Sequence, residues 1–178
     1  MKIFLIGFMG SGKTTLGKKL ARRMGFDFID LDNFIEQKES LSVTEIFATH
    51  GEDPFRQMEA DNLRLLEVLQ NVIISTGGGA PCFHGNMEWM NMHGLTVYLK
   101  MSPESLYTRL TASKKQRPLI HQKPKEELLT YIAQTLEKRR DFYESCQLTI
   151  DAAGLKAREL ERSLRETFGM RKSGEPDA

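Results

Sequence analysis

Gly7-x-x-x-x-Gly12-Lys13-Thr14 follows directly on the apolar run KIFLI and opens the amphipathic stretch from Thr14 to Met24. Glycines at 7, 10 and 12 let the backbone turn tightly and aim its N–H groups at an anion, and a helix starting there adds the positive end of its dipole. Lys13 stands where it would reach β- and γ-phosphates, and the Thr14 hydroxyl where it would help to hold Mg²⁺. A strand before and a helix after are the context that the pattern needs. The stretch therefore reads as the P-loop of a nucleoside triphosphate-binding protein, and the alternative is a glycine-rich turn without a ligand.

A P-loop alone does not separate a switch GTPase, a mechanical ATPase and a small-molecule kinase. No Asn-Lys-x-Asp element is present, and the downstream Asp-x-x-Gly, Asp151-Ala-Ala-Gly154, falls at the end of the last strand. The run NVIIS leads into Ser75-Thr76-Gly77, where a mechanical ATPase would carry an acidic pair. A small kinase is the reading left in front.

Three further groups suit a second substrate. Asp30 and Asp32, at the end of the strand FDFID, are sent to one side by a period of two. One carboxylate could hold a metal-bound water, while the other accepts a substrate hydroxyl and its proton. The competing reading is structural, with Asp32 capping the helix NFIEQK. Arg56 and Glu59 share a helix face at i and i+3, and alone they would be a surface ion pair of little energetic weight. Thr76-Gly77-Gly78-Gly79-Ala80-Pro81 follows a strand, and a glycine triplet there lets main-chain amides approach a ligand at the end of the sheet where open α/β folds bind.

The elements that must position these residues are short apolar runs alternating with longer amphipathic ones, which is the pattern of an α/β fold on a parallel sheet. Strands are expected near 2–6, 27–30, 72–75, 95–100 and 147–150, continuous in apolar character because both faces of the sheet are covered. The basic segment TASKKQRPLIHQKPKE breaks the periodicity with Pro118 and Pro124 and reads as a lid at about 112–124. Residues 1–170 make one domain, and 171–178 read as a flexible tail. Lys and Arg number 25 against 24 Asp and Glu, a net charge of +1. Neither nucleic acid nor an anionic membrane is favoured as a partner by that balance. Cys82 and Cys146 stand in unrelated contexts, and the opening MKIFLIGFMG is too short for a signal h-region with a cleavage site, so a soluble, unprocessed, cytoplasmic chain is expected.

Taken in order, GFMGSGKTT, DLD, FRQME, STGGGAP, the RPL of the lid and KRRDFY resemble shikimate kinase, from residue 3 to about 151. The resemblance implies a nucleoside monophosphate kinase-like fold: a three-layer α/β/α sandwich with a five-stranded parallel sheet, a lid, and a substrate-binding region at about 32–62. It implies a monomeric enzyme that uses ATP with Mg²⁺ to phosphorylate the 3-hydroxyl of shikimate in aromatic amino-acid biosynthesis. Gly10, Ser11, Gly12, Lys13, Thr14 and Thr15 would then hold ATP, with Arg117 of the lid over the phosphates. Asp32 would bind the acceptor hydroxyls and act as base, and Asp30 would join Thr14 at the metal through water. Arg56 and Arg139 would take the shikimate carboxylate, Glu59 would orient Arg56, and Gly77, Gly78 and Gly79 would lie beside the substrate. Arginine suits a carboxylate because its fork is planar and always charged.

The family's Arg-x-Pro-x-Tyr reads here as Arg139-Arg140-Asp141-Phe142-Tyr143. Arg140 competes for the role, and Arg139 is taken because it stands four residues before Tyr143. Arg109 is a candidate for stacking on adenine, with a solvated helix arginine as the alternative. His84, His93 and His121 have no metal spacing, and the methionines at 87–92 with Trp89 read as core. Two other readings remain: a kinase for another small polyol acid such as gluconate, and a nucleotide-dependent switch or binding module without transfer chemistry.

Overall fold

The computed structural model describes residues 1–113 and 124–169. The main elements are β1 Lys2–Ile6, α1 Lys13–Met24, β2 Asp27–Asp30, α2 Leu31–Glu39, α3 Val43–His50, α4 Glu52–Leu65, β3 Val72–Ser75, α5 Asn86–His93, β4 Leu95–Lys100, α6 Pro103–Ala112, α7 Lys125–Glu144, β5 Leu148–Asp151 and α8 Ala157–Phe168. Short 3₁₀ turns occupy Leu66–Val68 and Ala80–Cys82. The strands form one parallel sheet in the order β2-β3-β1-β4-β5.

The continuous apolar strands follow from two cores on opposite faces. With side chains alternating along a strand, Ile3, Leu5, Ile73, Val97 and Leu99 enter the core under α1, α6 and α8. Phe4, Ile6, Val72, Ile74 and Tyr98 enter the other, built with α2, α3, α4 and α5. The three-layer sandwich expected from the sequence is thus observed. Helix α7 serves both layers, since Leu128 and Ile132 belong to the first core and Tyr143 to the second.

Helix starts are marked by side chains that satisfy the first N–H groups. Ser42 and Glu45 form a reciprocal box at α3, and Ser102 caps α6 ahead of Pro103. β5 begins one residue later than its apolar run suggests, because the Gln147 N–H donates to Thr96 Oγ1. Met87 and Met90 are buried as expected, whereas Met92 is exposed. Residues 114–123 and 170–178, which hold most of the expected lid and all of the expected tail, lie outside the described residues. Among the described residues no helix is long and apolar enough to cross a membrane.

Because β2, β3 and β1 are adjacent and parallel, the segments leaving their C-terminal ends emerge side by side. These segments are the start of α2, the glycine triplet and the P-loop.

Candidate active site

The P-loop closes around its own lysine. Gly10 and Gly12 adopt φ +86° and +99°, which a residue with a Cβ rarely takes. Lys13 is buried at the first turn of α1, and its Nζ donates to the carbonyl oxygens of Gly7 at 2.7 Å and Phe8 at 3.0 Å. Among the described residues Ser11 Oγ is buried without a hydrogen-bond partner, while Thr15 is exposed in the first turn of the helix. Arg109, from the last turn of α6, reaches over the loop: its NH1 donates to Ser11 O at 3.2 Å, and its NH2 lies 3.4 Å from Ala152 O.

Thr14 Oγ1 donates to Asp30 Oδ2 at 2.7 Å, bridging the start of α1 to the end of β2. A hydroxyl and a carboxylate so placed at the mouth of the P-loop are hard oxygen donors, and they fit a magnesium ion bound partly through water. The two aspartates differ from the sequence expectation of a shared strand side. Asp30 caps α2, its Oδ1 accepting from Asn33 N at 3.5 Å, and Asp32 sits in the first turn of that helix. The capping role therefore belongs to Asp30, which leaves the Asp32 carboxylate directed at the triplet: a Cβ on Gly77 would stand 2.9 Å from Asp32 Oδ1.

The same imagined Cβ would meet Glu59 Oε1 at 2.4 Å, and one on Gly79 would fall 2.6 to 2.7 Å from the Arg56 guanidinium. Side chains from α2 and α4 occupy the space that larger residues would need, which accounts for glycine at 77 and 79. Arg56 and Glu59 are not a surface pair, being 4% and 1% exposed. Arg56 pairs with Glu59 through NH1 and with Glu52 through Nε and NH2. The rings of Phe47, Phe55 and Phe83 surround the guanidinium, with Phe83 nearest at 4.6 Å. Burial opposes the Arg56 charge, but Glu59 and then Glu52 outweigh it and hold its pKa above the ordinary value. Burial also pushes the Glu59 carboxyl up to about 7, with Arg56 drawing it down and Asp32 adding to the rise. Its Oε1 has no hydrogen-bond partner among the described residues.

Helix α7 brings a further cation. Arg139 NH1 donates to Gly78 O at 2.9 Å, whereas Arg140 faces outward and pairs with Glu137. Tyr143, fully buried, donates its hydroxyl to the same Gly78 carbonyl. Burial raises its phenol well above the ordinary range, so it remains a donor. Gly78 also lies against the P-loop, where a Cβ would stand 3.3 Å from Met9 N and 3.6 Å from Gly7 O.

The fold thus gathers Lys13, Thr14, Asp30, Asp32, Arg56, Glu59, Arg139 and the triplet at one end of the sheet, with Arg109 on the far side of the P-loop. Arg117 lies outside the described residues. Reasoning from sequence missed Glu52, Phe83 and the hydroxyl of Tyr143. Glu52 was visible at i−4 from Arg56, but nothing in the sequence links Phe83 to α4.

A family model described as shikimate kinase matches residues 9–168. The shikimate kinase of Parabacteroides distasonis is 50% identical over 151 residues, which cover 85% of this chain and 87% of that one. A crystal structure of shikimate kinase from Bacteroides thetaiotaomicron, 43% identical, matches with a TM-score of 0.89 over 96% of this chain and 99% of that one. The shikimate kinase of Acinetobacter baumannii in complex with shikimate, 34% identical, matches with a TM-score of 0.84 over 94% of this chain and 93% of the other. With the sequence matched from the P-loop to the last helix and the fold matched over nearly its whole length, the chain belongs to the shikimate kinase family.

Proposed function

We propose that the chain transfers the γ-phosphoryl group of ATP to the 3-hydroxyl of shikimate, giving shikimate 3-phosphate and ADP on the route to chorismate and the aromatic amino acids. The observation that carries this reading is the position of Gly78, whose carbonyl accepts from Arg139 while its backbone lies against the P-loop at Met9 and Gly7. An arginine suited to an acceptor carboxylate and a loop suited to donor phosphates meet at one residue.

In this reading Arg56 and Arg139 hold the shikimate carboxylate and fix the ring. Asp32 accepts hydrogen bonds from the ring hydroxyls and takes the proton of the attacking one. The new O–P bond forms as the bond to the β-phosphate oxygen breaks, and the leaving charge stays on ADP. P-loop amides, Lys13 and Arg117 of the lid segment neutralise the phosphates, and Arg109 borders the adenine. Magnesium, held by Thr14 and by Asp30 through water, would supply charge neutralisation at the β- and γ-phosphates. One chain carries candidate groups for both halves, which supports a monomeric enzyme. Its near-neutral charge and two free, half-buried cysteines support a cytoplasmic enzyme without nucleic-acid or membrane partners.

Coupled detection of ADP release, with and without shikimate, tests this reading. Turnover should require shikimate, and release without it, or with gluconate alone, would overturn the assignment.

A further inference from the structure

Arg56 has five N–H groups, and three of them are engaged among the described residues. Glu52 takes Nε at 3.1 Å and NH2 at 2.9 Å, both through its Oε1, and Glu59 takes one N–H of NH1. Among the described residues this leaves one N–H on NH1 and one on NH2, the two nitrogens at the end of the fork, for a carboxylate. Gly79 and the three phenylalanine rings crowd the guanidinium, but such contacts do not by themselves set its rotation about the side-chain torsions. That rotation is set by which edge of the fork is already taken.

Glu59 cannot set it alone, because a single contact at NH1 is a pivot. Glu52 supplies the second contact. It is the first residue of α4, one helical turn before Arg56, where the helix N-terminus favours its negative charge. Its side chain is 55% exposed, so the pair adds little to folding stability. An exposed carboxylate is thus spent on holding a buried cation.

We propose that Glu52 is a positioning residue for the acceptor: by occupying the Nε edge of Arg56, it turns the NH1–NH2 end of the fork to the substrate carboxylate. The proposal rests on the shikimate kinase reading. It deepens that reading by adding a residue that the carboxylate of the acceptor senses through Arg56.

Kinetics and calorimetric titration of two variants with shikimate and with its methyl ester test it. E52D keeps the charge but is one methylene too short to hold Nε and NH2. It should raise KM and Kd for shikimate about five- to tenfold. The methyl ester, which lacks the negative charge, should be affected less than about twofold, with kcat, ATP KM and Tm near those of the parent. E52Q keeps the reach and should weaken shikimate binding less than E52D. Parental shikimate affinity in E52D overturns the proposal, as does equal loss for acid and ester, which would make Glu52 a mere prop of α4. Tighter binding by E52Q overturns it too, since Glu52 would then act only by repelling the acceptor. If the parent enzyme shows no shikimate-dependent turnover, the functional reading fails first and is distinguished from failure of Glu52 alone.

Discussion

Arg139 and Tyr143, one turn apart on α7, donate to a single acceptor, the carbonyl oxygen of Gly78. The fork that would hold the substrate acid and the floor beneath it are therefore one unit. Y143F removes the phenolic donor and should raise the shikimate KM about two- to tenfold while leaving the ATP KM near its parental value. R139K should raise it further, because ammonium cannot make a fork, and R140K should have no such effect. Steady-state kinetics on the three variants checks this, and a larger effect at Arg140 would shift the site to the exposed neighbour.

Asp32→Asn should lower kcat by about 10²- to 10⁴-fold, the range removed with a general base. ATP affinity should stay close to that of the parent, because this carboxylate faces Gly77 and Glu59. The check is a rate measurement beside an equilibrium titration with ATP. Weakened ATP binding as the main effect would put Asp32 on the donor side.

Gly79→Ala should displace the Arg56 fork, which cannot yield because Glu52, Glu59 and three rings surround it. We expect a loss of stability of about 1–3 kcal/mol from overpacking. The shikimate KM should rise at least about tenfold, with the ATP KM little changed. Thermal melts and kinetics on the purified variant decide, and an unperturbed shikimate KM would contradict the placement of Arg56.

Stability should carry the signature of Glu59. Its carboxyl lies near 7 in the folded protein and near 4.5 when free, so the folded state binds the proton more tightly. That contribution is complete below about pH 4.5, is lost as pH rises through about 7, and is flat above. Its upper bound is about 3 kcal/mol. In denaturant melts, E59Q should gain on the parent protein as pH rises from 5 to about 8. A stability difference that does not change with pH would show Glu59 ionised throughout.

Much of this was legible in the chain, and the limits have physical causes. Gly7 to Thr14 carries its own context, and the strands declare themselves because both faces enter cores. Asp32 misled because a period of two was extended past Asp30, where Asp-x-x-Asn capping ends the strand. The choice between Arg139 and Arg140 was recoverable from helix phase, since Leu128, Ile132, Leu136, Arg139 and Tyr143 form one stripe at intervals of three and four. Arg56 and Glu59 looked like a surface pair because burial is decided by α3, by the triplet and by Phe83, all distant in sequence or silent about α4.

Gly78 separates the P-loop from Arg139 by main chain alone, and a Cβ there would stand only 3.3 Å from Met9 N and 3.4 Å from Arg139 NH1. In the proposed reading, the separation between donor and acceptor is consequently built from peptide units, and a side chain at position 78 has little space in which to adjust it. Redesign toward a different acceptor has to start from the walls on α2 and α4. Attempts to widen the floor should lose the reaction before they change its substrate.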